Sequence, residues 1–567
     1  MNRALIISMF AVALTTCSIA ACQDLALADN VPDQKRSSDE YYDLGGFHYA
    51  VTTESELAQT WFDRGLAMCI AFNHEEAIRC FEKAIEHDPA MPMAYWGLAY
   101  AMGPNINNME IPAETIAQAG IVLHLGKLHS KKANDKEIKL IDALAKRYAT
   151  PVPELDERIT VNRAYTEEMR KLHSEFSDDS LVAALFAESL MLLRPWKHWT
   201  KEGKPAEETP EIVSTLEAAL KKWPSHPALC HLYIHTMEAS PHPEKALPAA
   251  NRLRNAMPGA GHLVHMPSHI YVLVGDYPKM IDANKKAIEA DTEFLRREGP
   301  FNFYTLYRIH NYHFVVYGAM FDGQSELAMT TARQLVKQVP EAMLKQQVDF
   351  LDAFMPMPLH VMIRFGQWEK ILAEPQPADY LPMSRSIWHY ARSLAYAATG
   401  RVENAEKEQL AFEKSAAAVP ETSMLFQNTS RDILGVARAM VAGEIAYRKG
   451  EFETAFKNLQ EAVRLDDNLN YDEPWGWMQP ARHALGALLL EQGRVAEAEA
   501  VYREDLKHRP ANPWSLFGLA ECLAKQSKAS ESAEVMAQFK AAAKRADIKI
   551  DRSCFCKIND LSPENKK

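Results

Sequence analysis

At 567 residues the chain exceeds what one enlarging hydrophobic core can fill, so it either divides into domains or grows as an array. It is rich in Ala, Leu, Glu and Lys and poor in the alternating Val/Ile/Thr runs that announce strands, which argues against a sheet-based fold and for an all-α one. A net charge of −12 argues against a broad nucleic-acid face, which needs clustered Lys and Arg, and leaves a solvated acidic exterior.

Residues 1–28 read as an export signal: Met1-Asn-Arg supplies a positive start, Ala4 to Leu14 an apolar run, and small residues follow. Two cleavage sites compete. Ile19-Ala20-Ala21-Cys22 fits a bacterial lipobox, leaving a lipid anchor on Cys22, while Ala26-Leu27-Ala28 fits ordinary signal peptidase. The expected location is therefore the bacterial periplasm, free or as a membrane-tethered lipoprotein, and no later stretch is apolar for long enough to form a transmembrane span. Residues 29–54 read as a linker. Beyond Cys17 and Cys22, the cysteines are too sparse for a disulfide scaffold; Cys69 and Cys80 sit where they can pair across one hairpin, and Cys554 and Cys556 are either a terminal clip or two thiols.

Residues 55–103 open with WFDRGLAMCIAFNHEEAIRCFEKAIEHDP, in which Trp61, Gly65, Ala77, Phe81, Ala84 and Pro89 fall at fixed offsets. Small Gly65 and Ala77 let two helices touch, Phe81 and Ala84 fill the next interface, and Pro89 ends the second helix. In identity and spacing this resembles the tetratricopeptide repeat (TPR) family, whose period is about 34 residues. The same ladder returns as Gly443, Ala455, Leu459, Ala462 and as Gly486, Ala498, Tyr502, Pro510 within residues 376–540, with weaker copies from Ile234 and Val316 within 179–375. Residues 104–178 are helical by pattern but not periodic, a long insertion starts at Leu193, and 541–567 read as a tail. The stretches AFNHEEAIRCFEKA, AYWGLAYAMGPNIN and HLVHMPSHIY are similar to a bacterial group of exported TPR proteins. The resemblance implies a right-handed superhelical solenoid of antiparallel helix hairpins and leaves the function to be argued from residues.

Two His-x-x-x-His pairs, His231/His235 and His265/His269, stand 34 positions apart. Within the family, helix A residues three before and one after the small contact position face the concave groove, and the residue six before does so near the helix start. That register selects Glu188, His231, His235, His262, His265, His269, His310, His313 and His360 as one inner wall. Residues four apart share a helix face, and neighbouring helices stand about 8–10 Å apart, so imidazoles from two helices can meet at an ion with bonds of ~2.1 Å. With only 20 histidines in the chain, a second pair in register is roughly a one-in-a-thousand coincidence unless duplication copied it. The site so drawn suits a transition metal, Zn, Fe or Cu; the competing reading is packed or pH-responsive histidines.

Pro267 falls inside the expected helix, which either starts there or kinks. P-loop, GxGxxG and His-Glu-x-x-His motifs are absent from the sequence. Two functions follow as expectations: a binding protein that takes a protein or peptide in a histidine-lined concave groove, or a metal-dependent enzyme of hydrolase or oxygenase type with Glu188 as ligand or general base.

Overall fold

The computed structural model describes residues 41–557; the expected export signal with Cys17 and Cys22, the first part of the linker and residues 558–567 lie outside the described residues. The chain forms two compact units: one runs to Ile270 and includes Lys286–Tyr304, and the other comprises Tyr271–Lys285 and the chain from Thr305 onward.

The first unit contains α1 (Glu56–Ile70), α2 (His74–His87), α3 (Pro92–Ala101), α4 (Ala113–Leu128), α5 (Asp135–Ala145), α6 (Arg158–Glu175), α7 (Ser180–Met191), α8 (Thr209–Lys222), α9 (Pro227–Met237), α10 (Leu247–Leu253) and α11 (Gly261–His265). Boundaries between the units fall in α12 (Pro267–Leu273) and α13 (Tyr277–Glu298), and next to Tyr304 at the start of α14 (Tyr304–Phe321). The second unit continues through α15 (Ser325–Gln338), α16 (Glu341–Gln346), α17 (Val348–Leu351), α18 (Met357–Arg364), α19 (Trp368–Ala373), α20 (Pro382–Ala398), α21 (Val402–Ala417), α22 (Ser430–Arg448), α23 (Phe452–Asp467), α24 (Ala481–Glu491), α25 (Val495–His508), α26 (Pro513–Lys525) and α27 (Ala529–Ala542). The fold is all-α; the one sheet among the described residues is a pairing of Met424–Leu425 with Asn428–Thr429.

Local chemistry starts and stops these helices. The Ser55 side chain accepts from Ala58 N at the head of α1 and the Asn73 side chain from Glu76 N at the head of α2, with acidic residues in both first turns. Asn134 and Glu137 form a reciprocal capping box on α5, and Pro92 and Pro227 occupy the first positions of α3 and α9.

Hairpins stack through one repeated device. The Phe81 ring on α2 is seated between two glycines: an added Cβ would come within 2.8 Å of it at Gly65 on α1 and within 2.2 Å at Gly97 on α3. In the second unit the Tyr502 ring on α25 occupies the same notch, 2.6 Å from a Cβ placed at Gly486 and 2.3 Å from one at Gly518. The repeat ladder of the sequence is thus a ladder of rings in glycine notches.

Several hairpin turns pass through a left-handed residue. In the second unit it is glycine at Gly275, Gly323, Gly366, Gly400, Gly450 and Gly493, and Ser527 in the last hairpin; in the first hairpin of the chain it is Phe72, with φ 54°.

Two expectations are corrected. Cys69 and Cys80 remain separate buried thiols. Residues 551–557, expected within the tail, are packed: the Tyr502 hydroxyl and Ser553 Oγ are 2.6 Å apart, Arg364 donates to Ser553 O at 2.8 Å, and Cys554 is bonded to Cys556. Among the described residues no helix is long and apolar enough to cross a membrane.

The notch predicts that Gly97→Ala destabilises by about 1–3 kcal/mol, because the buried Phe81 ring has no room to retreat. Gly435→Ala, whose added Cβ would find only Leu465 Cδ1 at 3.9 Å, is expected to be neutral or stabilising. Urea unfolding of the two variants checks this; equal midpoints would refute the notch.

Candidate metal centre

Pro227 sets where α9 begins, and the register then places His231 and His235 on one face, at 1% and 3% exposure. Across from them, α11 ends at His265 and the chain restarts as α12 at Pro267, so this proline opens a helix. Gly261 is required at the head of α11, because a Cβ there would lie 1.9 Å from Asp291 Oδ1. The backbone N–H of His262 donates to Tyr304 Oη at 2.8 Å, fixing the turn that aims His262 at α9.

The ring centroids of His231 lie 4.8 Å from His235 and 5.0 Å from His262. One ligating atom from each of these three residues falls within 4.8 Å of the others. Their protonation is dictated by their neighbours. His231 Nδ1 lies 2.8 Å from Ile70 O, which can only accept, so Nδ1 carries the proton. His235 Nδ1 lies 2.9 Å from Glu238 Oε1, with the same consequence. His231, which burial pushes well below the ordinary imidazole range, thus keeps the lone pair on Nε2, and the Nε2 atoms of both rings are buried without a hydrogen-bond partner.

Glu238, the C-cap residue of α9, also takes His269 Nδ1 on its other oxygen at 2.6 Å. Burial works to raise its carboxyl, but the charges and hydrogen bonds of His235 and His269 hold it well below the usual carboxylate range. Burial pushes His231 and His262 well below the ordinary imidazole range, and neighbouring imidazoles add to the effect. The arrangement is one buried carboxylate holding two imidazoles by their Nδ1 atoms, the support that metal-binding histidines need.

The remaining wall residues are distributed differently. His265 Nε2 and His269 Nε2 are 2.7 Å apart. Two ligands on one tetrahedral ion with bonds of ~2.1 Å stand roughly 3.4 Å apart, so these two rings are hydrogen-bonded to each other. Glu188 on α7 accepts from Tyr100 Oη and shares with His231 and Cys69 a cavity of about 30 Å³; its carboxyl is raised by burial, against Arg147. His310, His313 and His360 belong to the second unit. There His313 Nε2 lies 3.0 Å from Met478 Sδ, His360 stands edge-on to Trp477, and His310 packs on Phe314 and Phe426.

The first unit's histidines are enclosed, not arrayed along an open groove. Phe72 packs on His231, His235 and His262 at 4.5, 5.8 and 5.3 Å between centroids. Trp196, from the loop between α7 and α8, stands edge-on to His235 at 5.6 Å. Both covering residues have left-handed backbones, with φ 54° and 60°, a conformation costly for an aromatic residue and found where function over-determines it. Glu238, Phe72 and Trp196 escaped the reading of the sequence. A carboxylate three residues after His235 and an aromatic in the turn position elsewhere held by glycine were the available signals.

The tetratricopeptide repeat family matches residues 58–90 and, through a second model, residues 483–547. The chain therefore carries tetratricopeptide repeats in these two stretches, and such repeats support a role in protein interaction. No curated protein matches it. Among solved structures it is similar to human IFIT1 in complex with m7Gppp-AAAA, at 12% identity and TM-score 0.32, covering 88% of this chain and 92% of that one. Ypp1 gives 9% identity and TM-score 0.43 over 88% and 83%, and the Cut9–Hcn1 hetero-tetramer of the APC/C 11% and 0.26 over 87% and 94%. Likeness this distant carries nothing about ligand or partner.

Burial also sets the pH response. It pushes His74 and His226 in the first unit, and His360 and His483 in the second, to about 4, and His313 to about 3. Below about 6.5 the unfolded chain binds protons that these folded rings refuse, so each withdraws up to about 1.4 kcal/mol of stability per pH unit as pH falls. Glu110, raised to about 7, and Asp352 and Asp466, raised to about 6, act in the opposite sense but are fewer. The melting temperature should be lower at pH 5.5 than at 7.5; an equal or higher value at pH 5.5 would contradict the neutral buried rings.

Proposed function

We propose that this protein is an exported binding protein whose first unit holds one transition-metal ion on His231, His235 and His262. What carries the reading is the pair of buried Nε2 atoms on His231 and His235: neither has a hydrogen-bond partner, while the opposite nitrogen of each ring is tied down by Ile70 O or Glu238. Three neutral imidazoles suit Zn, Cu or Fe and leave a fourth position for a further ligand. The buried Glu238 carboxylate offsets part of the ion's charge and sets the His235 ring plane. Repeats outside this unit supply surface for a protein or peptide partner, and the basic start, apolar run and Cys22 of the sequence support export with a lipid anchor.

A second reading, a metal-dependent enzyme, is favoured by one observation. The 30 Å³ cavity beside His231 is about the volume of one water and is lined by Glu188, a carboxyl whose pKa burial raises. There the open position would hold water, with Glu188 as its base.

Elemental analysis of untagged protein separates these readings from packed histidines. About one equivalent of metal is expected, lost in His231→Gln and His235→Gln, weakened about 10–100-fold in Glu238→Gln, and kept in His360→Gln. Protein that arrives metal-free and takes up neither zinc, copper nor iron would refute both readings. If metal binds, Glu188→Gln decides between them: unchanged affinity with loss of a metal-dependent hydrolysis supports the enzyme.

A further inference from the structure

A second cavity of the first unit, of about 220 Å³, is lined by Arg147, Arg158, Glu110 and Asn162 among aliphatic side chains such as Ile116 and Leu193. Its principal feature is Arg147, just past the end of α5. The residue is 3% exposed, yet none of Nε, Nη1 and Nη2 has a carboxylate or carbonyl acceptor, and only the Tyr148 hydroxyl stands by as a hydrogen-bonding neighbour. Its guanidinium lies over the Tyr165 ring at 4.1 Å. It opposes the burial-driven rise of Tyr148 and Tyr165, but the Tyr148 hydroxyl gives its own proton to Ala99 O at 2.5 Å. The carboxyl that feels Arg147 most, Glu188, is already bonded to Tyr100. Arg158, on the same lining, donates to the carbonyls of Ile111 and Pro153.

An arginine cannot shed its charge, and a planar guanidinium is shaped to hold both oxygens of a carboxylate. A buried guanidinium without a charged acceptor, beside a largely aliphatic cavity, is half of a recognition site. We infer that this cavity binds a small carboxylic acid with an apolar body, its carboxylate on Arg147 and its body against Ile116 and Leu193. The volume is that of about seven waters, room for an acid of roughly ten non-hydrogen atoms. A phosphate suits the site less well, because Glu110 shares the cavity, its buried Oε2 also without a partner, and the rest of the lining is largely aliphatic. This site does not depend on the metal reading: none of the three proposed ligands lines it.

Calorimetric titration of the full chain with benzoate tests the inference, with benzamide as the neutral isostere. Benzoate should bind with Kd about 1 mM or tighter and raise the melting temperature, while benzamide binds at least about tenfold more weakly. Arg147→Met and Val161→Trp, the second filling the cavity without touching the guanidinium, should each weaken benzoate at least about tenfold. If Arg147→Met fails to fold, Val161→Trp and benzamide decide the matter. No heat and no thermal shift with benzoate up to about 20 mM, equal binding of benzamide, or undiminished binding to a folded variant would overturn the assignment.

Discussion

A carboxylate taken out of water must be met by donors or give up its charge, and the candidate centre is arranged around how Glu238 meets that demand. At 2% exposure it receives Nδ1 of His235 on one oxygen and Nδ1 of His269 on the other. Those two bonds settle more than the carboxylate's own state. They fix which nitrogen of each ring carries the proton, and so turn His235 Nε2 toward His231 and His262, while His269 Nε2 is left to face His265. One buried charge sorts five rings into an inner trio and a hydrogen-bonded pair.

The repeat was legible in the sequence because its physics is local and periodic. Gly65, Phe81, Gly486 and Tyr502 announce a notch and the ring that fills it, and spacing alone says that they recur. The histidine register was legible for the same reason: four residues on a helix and 34 along the chain bring His231, His235 and His262 together. What the register could not carry was everything that breaks the period. Glu238 caps a helix, Phe72 sits in a turn, and Trp196 comes from an insertion, so none occupies a repeated inner slot. Equivalent slots also differ in surroundings: His313 sets its Nε2 against Met478 Sδ and packs on an aromatic ring, whereas His231 leaves its Nε2 without a partner. Periodicity predicts position, and neighbours decide function.

The two sites inferred in the first unit share a physical signature despite opposite chemistry. Each has polar atoms that burial has stripped of water and the fold has not re-partnered: Nε2 atoms on His231 and His235, and N–H groups on Arg147. Buried polar groups are ordinarily satisfied, and exceptions in a well-packed interior tend to be held open for something else. The first unit spends its irregular elements, the loop 192–208 and the helices between residues 104 and 178, around these exceptions.

Phe72 shows what such an arrangement asks of the fold. The second-unit hairpins turn almost without strain through glycine, whereas the first hairpin of the chain forces an aromatic residue into the same left-handed bend so that its ring can roof three histidines. Glycine there would relax the backbone and leave the imidazoles bare. Selection for a sturdier protein and selection for a sealed site therefore pull this one position in opposite directions, and a lineage freed from the site's function should drift toward glycine at the turn before it loses the histidines beneath it.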